Sequence, residues 1–341
     1  MEVLSSVLSL LSTHWVGTLV ISLVILFCYW GIAPYRRSAI VAQIGDIPGP
    51  PPLPFVGNSL DLFRYKGQMH LQFDDYYKKY GRLFATFIVS RKPYIVIGDL
   101  EMVKDLLVKE FQSFHDRPGS VVTLPKPLNS MMTTVTGQTW HRIRSTLSPT
   151  FSGHKMKVMV PLLTKSCDVL IKKLQDAEKS DQSVDVYKLV LILILTYLLC
   201  EVIFLTLHLS FSGFILARVA TKDCTIKGFP IKKGTSIFVP VYSIQRDPEY
   251  YDNPDKFDPE HFSAEAKQSR DPYAYMPFGH GPRNCIGMRF AIFQMKMSLA
   301  RILKQFSLVV GPETKVPLEV KMKKVLGCGK DGIQLRIKSR H

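Results

Sequence analysis

The organisation of this chain is decided by the stretch Pro277-Phe278-Gly279-His280-Gly281-Pro282-Arg283-Asn284-Cys285-Ile286-Gly287, which precedes a long apolar-periodic segment. Its glycines permit turns that other residues avoid and close approach to a flat partner. The pattern from Met288 to Phe306 predicts a helix, with one face formed by Phe290, Phe293, Met297 and Ala300. A cysteine just before a helix is favoured as a thiolate, which ligates soft or borderline metals. The alternative is an ordinary buried cysteine in a turn.

The pattern Phe-x-x-Gly-x-Arg-x-Cys-x-Gly is matched at Phe278, Gly281, Arg283, Cys285 and Gly287. It resembles the haem-thiolate loop of the cytochrome P450 superfamily, and the surrounding residues are most similar to the animal branch of drug- and steroid-oxidising enzymes and thromboxane synthase. The resemblance implies that Cys285 is the axial thiolate of haem iron, that Arg283 pairs with a haem propionate, and that Phe278 belongs to the cofactor-binding set. It also implies a mainly α fold with small β-sheets.

The composition indicates which classes of partner the chain could bind. Lys and Arg number 44 against 28 Asp and Glu, a net charge of +16, and no nucleic-acid motif or dense basic block is present. A membrane surface or an acidic protein is therefore the favoured partner. The six cysteines are scattered without paired spacing, which argues against disulfides or a zinc site and fits a reducing compartment.

The N-terminus predicts a transmembrane anchor. Residues 15–33 carry no charge and are long enough to span a bilayer as a helix, and Arg36 and Arg37 follow them. The positive-inside rule then places the rest of the chain in the cytosol, and the resemblance implies the endoplasmic-reticulum membrane. A cleaved signal peptide is the alternative. We assign 1–46 to the anchor and its basic flank, and 47–54 to a stiff proline-rich hinge, for which a proline-rich ligand is the alternative.

The N-terminal part of the haem domain spans 55–188. Its pattern predicts a helix ending at Tyr80, two strands, and helices at Glu101–Lys109 and Gln138–Leu147. Trp140 and Arg144 share one face of the last helix and could grip one carboxylate together. Considered alone, the two residues also fit a structural role, in which Trp140 is half-buried and Arg144 extends its charged group to solvent. Together with the cysteine loop in the same chain, they resemble the helix that binds a haem propionate in the family. Arg117 is a further candidate for contact with a propionate.

The resemblance stops at residues 189–217, a segment of 29 residues with Glu201 and His208 as its ionisable side chains. The proton-delivery motif Ala-Gly-x-x-Thr and the Glu-x-x-Arg lock of the family are missing, and the motif Pro259–Phe262 has His261 in place of Arg. We interpret the fold as incomplete, through alternative splicing or a faulty gene model. The segment is either a second membrane span, which would separate Trp140 from Cys285, or a buried core helix.

The C-terminal haem-thiolate part spans 218–341. It opens with Arg218, which by resemblance is another propionate ligand and otherwise a surface arginine beside an apolar segment. Ser236 to Val241 predicts a buried strand, and residues 307–341 predict short strands with a basic end.

Three functions remain in competition. The first is a haem-thiolate monooxygenase that inserts one oxygen atom from O2 into a lipophilic substrate, with electrons from NADPH through a reductase. The second is an inactive truncated membrane-bound derivative of such an enzyme, which the missing motifs favour. The third is a haem-thiolate isomerase of peroxides, which needs no reductase.

Overall fold

The computed structural model describes residues 15, 17–29, 45–88, 92–118, 128–185, 215–256, 258–316, 320–323, 326–329 and 333–340. The fold of these residues is mainly helical. The helices are α1 (17–29), α2 (Asp61–Arg64), α3 (Met69–Tyr80), α4 (Leu100–Lys104, continued by a π-helical turn at Asp105–Lys109), α5 (Gly137–Leu147), α6 (Gly153–Lys179), α7 (Val241–Ile244), α8 (Ala264–Ser269) and α9 (Met288–Gln305).

Small sheets accompany the helices, as predicted. The strands are β1 (Leu83–Thr86), β2 (Tyr94–Ile97), β3 (Val184–Asp185), β4 (Leu216–Val219), β5 (Cys224–Ile226), β6 (Phe229–Ile231), β7 (Ser236–Val239), β8 (Phe306–Val309), β9 (Val320–Lys323), β10 (Leu326–Gly329) and β11 (Gln334–Ser339). Within the described chain they form a four-stranded sheet in the order β1-β2-β7-β4, a three-stranded sheet in the order β3-β11-β8, and the pairs β5-β6 and β9-β10.

The four-stranded sheet joins the two halves of the chain. Strand β2 pairs with β7 in parallel, with Ile95 opposite Ile237 and Tyr94 opposite Ser236. The ring of Tyr94 stacks on that of Phe238, with 4.7 Å between the centroids. One apolar core contains buried side chains from both halves: Phe73, Phe84, Val96, Leu106, Ile237, Val239 and Ile244. The sheet and this core fix where the later cysteine loop lies relative to the earlier helices.

The proline-rich segment predicted as a hinge is docked along β1. The amide of Ala85 donates to the carbonyl of Pro48 at 2.9 Å. A Cβ at Gly49 would lie 2.1 Å from the carbonyl oxygen of Ala85, so only glycine allows this approach. The buried Asn58 amide donates to the carbonyl of Pro51 at 3.1 Å. The segment is therefore held on the sheet edge through its carbonyl oxygens, which prolines retain.

The predicted transmembrane anchor is not supported. Residues 17–29 form α1 with exposed side chains, while residues 16 and 30–33 lie outside the described part. Among the described residues, no helix combines the length and hydropathy that a membrane span requires.

The apolar segment 189–217 falls largely outside the described residues. Its last residues, Leu216 and Ala217, lie in β4, which pairs with β7. The separation of Trp140 from the cysteine loop by a second span does not occur in this structure. Arg283 of the loop lies over the Trp140 ring, with 4.7 Å between the guanidinium and the ring centroid.

The predicted apolar face of α9 is buried at Phe290 and half-buried at Met297, but it is wrong at Phe293 and Ala300. Phe293 is 37% exposed, and Ala300 is exposed as well. The buried side chains of α9 are a mixed set, Phe290, Ala291, Gln294, Met295, Ser298 and Ile302. The helix packs against α6, where the hydroxyl of Ser298 lies 3.4 Å from the thiol of Cys167 and Arg301 donates to the carbonyl of Thr164. Gln294 and Ser298 interrupt the apolar pattern of this buried face, so hydropathy alone did not select it.

A partly buried ion pair ties the first half to the second, and its loss should destabilise the fold. Arg82 contacts Asp247 at 2.7 Å and Glu249 at 2.6 Å, and the hydroxyl of Tyr77 donates to the same Asp247 carboxylate. We expect Arg82→Ala to lower the free energy of unfolding in urea by about 2 kcal/mol, because a carboxylate that is 92% buried loses its cation.

The control for Arg82→Ala is Lys227→Ala. Lys227 also pairs with two carboxylates, but all three side chains are well exposed. Solvent-exposed pairs contribute little to stability. We therefore expect the control to leave the urea midpoint unchanged, and equal losses in both variants would contradict the prediction.

Candidate functional site

The cysteine loop, residues 277–287, presents the Cys285 side chain to solvent while its backbone is tied down. Gly279 and Gly281 adopt φ values of 71° and 75°, which glycine favours. The amide of Cys285 donates to the carbonyl of Phe278 at 2.9 Å, and that of Asn284 to Gly281 at 3.0 Å. Phe278 itself packs against Ala291 and Met295 of α9. Cys285 is a free thiol in an exposed position, as a ligand to an external group would be.

A close contact at Gly281 fixes the loop against the preceding half, which leads to a test of its rigidity. A Cβ at this position would lie 2.0 Å from the carbonyl oxygen of Leu107, whereas at Gly279 the nearest atom would be 3.5 Å away. Both residues have positive φ, so both alanine variants carry backbone strain. We expect Gly281→Ala to lower the free energy of unfolding by about 3 kcal/mol and Gly279→Ala by about 1 kcal/mol. Similar losses in a urea titration would contradict the contact.

Arg283 is buried and anchored from several sides. Its Nη1 donates to the carbonyl of His115, and its Nη2 donates to the carbonyl of Val135 at 2.7 Å. Asp116 lies 3.5 Å from Nη1, and the guanidinium covers the Trp140 ring. The Nε atom is buried without a hydrogen-bond partner. Burial and the charge of Arg117 lower the pKa of Arg283 to about 10, although Asp116 acts in the opposite direction.

Helix α5 brings Trp140 and Arg144 to the loop, where each contacts a different residue of it. Trp140 is 2% exposed and lies beneath Arg283. Arg144 donates to the backbone carbonyl of Asn284 at 2.8 Å and to its side-chain oxygen at 2.9 Å. Arg144 thus binds the residue directly before Cys285. Sequence reasoning missed this role of Asn284, for which its place between Arg283 and Cys285 is the available signal.

Among the residues that the structure describes, Arg218 on β4 is the largest fully buried side chain, at 1% exposed. It is not a surface arginine, so that alternative is wrong. Its Nη1 donates to the carbonyl of Ala217 at 2.8 Å, and its buried Nε has no partner. Burial, and then the positive charges of Arg117 and Arg283, lower the pKa of Arg218 to about 9. The side chain therefore lies in an uncompensated positive environment.

Four arginines and Cys285 interact electrostatically with one another. The arginines are Arg117, Arg144, Arg218 and Arg283. Burial lowers the pKa of Arg117 and of Arg144, and a negative charge on Cys285 would oppose both shifts. Among the described carboxylates, Asp116 alone lies within ion-pair distance of any of these four arginines. A buried cationic group that retains unpaired N–H donors suits an anionic ligand with more than one carboxylate. An exposed thiol beside it suits a metal bound to that ligand.

Comparisons with known proteins agree with this geometry. The cytochrome P450 family model matches residues 47–207 and 206–337. The chain belongs to the cytochrome P450 family. The family implies haem iron as cofactor and monooxygenase chemistry. The buried arginine donors and the exposed Cys285 thiol fit haem, which carries two carboxylates and one iron.

Similar curated proteins come from the 3A group of this family. Cytochrome P450 3A31 of Mesocricetus auratus is 28% identical over 495 positions, with 95% of this chain and 96% of the relative covered. Cytochrome P450 3A2 of Rattus norvegicus is 25% identical over 94% of this chain and 96% of the relative. Cytochrome P450 3A27 of Oncorhynchus mykiss is 47% identical over 37% of this chain and 24% of the relative. Because the chain has 341 residues, at least 495 − 341 = 154 positions of the first alignment are gaps in this chain.

Proposed function

We propose that this chain is a haem-thiolate monooxygenase that inserts one oxygen atom from O2 into a lipophilic substrate, with electrons delivered from NADPH by a reductase. The observation that carries the proposal is the exposed Cys285 thiol beside Arg117, Arg144, Arg218 and Arg283, which have one carboxylate within ion-pair distance among the described residues. Such an arrangement is costly without an anionic ligand, since buried charges need partners.

The residues of the site have separate roles in this proposal. Cys285 would ligate the iron as a thiolate, and Arg218 and Arg283 would bind the propionates through their unpaired Nε donors. Arg144 would hold the loop through Asn284, while Trp140 supports the guanidinium of Arg283. When bound, haem iron with a thiolate ligand supplies the activation of O2.

The proposed location is the endoplasmic-reticulum membrane, with the haem domain in the cytosol. The uncharged residues 15–33 and the following Arg36 and Arg37 support this orientation. The net charge of +16 supports contact with an acidic reductase and with anionic lipid headgroups. Residues 47–54 would then connect the membrane segment to the first sheet.

A second candidate is an inactive derivative of such an enzyme, produced by alternative splicing or a faulty gene model. The missing Ala-Gly-x-x-Thr and Glu-x-x-Arg motifs favour it, as do the gaps in the alignment. His261 stands where the family has an arginine in the motif Pro259–Phe262. Its Nε2 contacts the carbonyl of Asp252 at 2.6 Å.

The deciding experiment supplies haem to the full chain, reduces it, adds carbon monoxide and records the Soret band. A strongly red-shifted band followed by substrate oxidation that depends on NADPH and reductase would support the monooxygenase. A red-shifted band without turnover would support the inactive derivative that retains haem. Failure to take up haem would overturn the haem-thiolate proposal for this polypeptide.

A further inference from the structure

Asp116 contacts each of the elements that carry the proposed haem-binding cations. Its Oδ1 accepts a hydrogen bond from the amide of Gly137, the first residue of α5, at 2.7 Å. Its backbone carbonyl accepts from the amide of Val219 in β4 at 3.0 Å. The same Oδ1 lies 3.5 Å from Nη1 of Arg283. One residue therefore connects α5, β4 and the cysteine loop.

The contact with Gly137 replaces a missing helix cap. Thr136 precedes α5, but its side chain makes no capping hydrogen bond. The first amides of a helix need acceptors from outside the helix, and a negative charge there interacts favourably with the helix dipole. Asp116 supplies both from another part of the chain. It thereby fixes the start of the helix that carries Trp140 and Arg144.

The contact with Arg283 gives Asp116 an electrostatic role as well. Arg117, Arg218 and Arg283 surround the site with positive charge, and the Asp116 side chain is 16% exposed, so its interaction is only partly screened by solvent. A negative charge among these arginines lowers the positive potential that a bound haem would experience. The capping contact needs only an acceptor oxygen, whereas the electrostatic role needs the charge.

We propose that Asp116 is a positioning residue that aligns the haem-binding arginines and moderates their positive potential at the haem. The inference rests on the haem-binding role proposed above. It assigns two separable properties to one carboxylate. Asparagine retains the acceptor without the charge, and alanine retains neither.

The first test compares haem uptake and the midpoint potential of the haem in Asp116→Asn and Asp116→Ala. We expect Asp116→Ala to bind haem roughly tenfold more weakly, because α5 loses its cap. Asp116→Asn should restore binding to within about twofold of the wild type. Its midpoint potential should shift to more positive values, since the loss of a nearby negative charge favours the reduced iron. Unchanged binding in the alanine variant, or an unchanged potential in the asparagine variant, would overturn the proposal.

The control variant is Asp247→Asn, which removes another buried carboxylate that is paired with Arg82. It should destabilise the chain without moving the potential. If the midpoint potential shifts as much in Asp247→Asn as in Asp116→Asn, destabilisation of the fold is the cause of the shift. That result would overturn the electrostatic role of Asp116.

The second test needs no haem and separates this inference from the proposed function. Amide hydrogen exchange at Gly137 in the full chain should become roughly tenfold faster in Asp116→Ala and remain near the wild-type rate in Asp116→Asn. If the wild-type chain takes up no haem, the proposed function fails while this measurement still decides the positioning role. Equal exchange at Gly137 in all three chains would overturn it.

Discussion

Replacing Cys285 by serine is expected to abolish the red-shifted Soret band of the reduced, carbon-monoxide-treated chain completely. The hydroxyl of serine is similar in size to the thiol, and the loop is held by backbone hydrogen bonds from Cys285 to Phe278 and from Asn284 to Gly281. The geometry of the loop should therefore persist. Serine does not supply a thiolate, and the thiolate is what shifts the band in the proposed site. Circular dichroism should show an unchanged helix content.

The matched control for this variant is Cys224→Ser. Cys224 is also a free cysteine, and burial raises the pKa of its thiol, which disfavours a thiolate. It lies in β5, outside residues 277–287 of the loop, and its thiol contacts the carbonyl of Ile231. The control should keep the red-shifted band. A band that persists in Cys285→Ser would mean that Cys285 is not the ligand, and a band that disappears in Cys224→Ser as well would mean that its loss is not specific to Cys285.

Much of the local structure could be predicted from the sequence, because its signals are local. Gly81 ends α3 with φ of 88°, and the predicted strands around residues 83–97 form the antiparallel pair β1-β2. Helix α5 begins one residue before the predicted Gln138 and ends at the predicted Leu147. The periodicity of apolar residues and the positions of glycines are signals that extend over a few residues. They can therefore be recognised in the sequence without knowledge of the fold.

The candidate site was predictable as a set of residue types but not as a set of contacts. The loop pattern identified Arg283 and Cys285, yet the hydrogen bonds of Arg283 run to His115, 168 positions away, and to Val135, 148 positions away. Asp116 gave no signal, because its partners lie in other elements and its neighbours in sequence form no motif. Pairings of this kind depend on the four-stranded sheet, whose parallel β2-β7 contact no local pattern specifies.

The arrangement of arginines also explains how one site can be unfavourable for folding and favourable for binding. Arg218 and Arg283 each bury an Nε donor without an acceptor. An unpaired buried donor costs free energy in the chain without ligand, and an anionic ligand removes that cost when it binds. Local destabilisation of this type is typical of binding sites rather than of structural cores.

Replacing Arg218 by leucine should therefore stabilise the ligand-free chain and weaken haem uptake. We expect the free energy of unfolding in urea to rise by about 2 kcal/mol, because a buried cation among like charges is replaced by an apolar side chain. Haem affinity should fall by roughly 10- to 100-fold, because one charge-assisted hydrogen bond to a propionate is lost. The two effects have opposite signs, and general damage to the fold would lower both quantities.

The variant Arg218→Lys separates charge from shape in this prediction. Lysine keeps the positive charge beside Arg117 and Arg283, so it should not stabilise the ligand-free chain. It retains donors for a propionate but loses the planar fork, so haem affinity should fall less than in Arg218→Leu. If Arg218→Leu instead lowers the free energy of unfolding, the hydrogen bond from Nη1 to Ala217 and the packing of the side chain outweigh its buried charge. Arg218 would then belong to the structural core of β4, and the case for an anionic ligand would rest on Arg283 and Arg117.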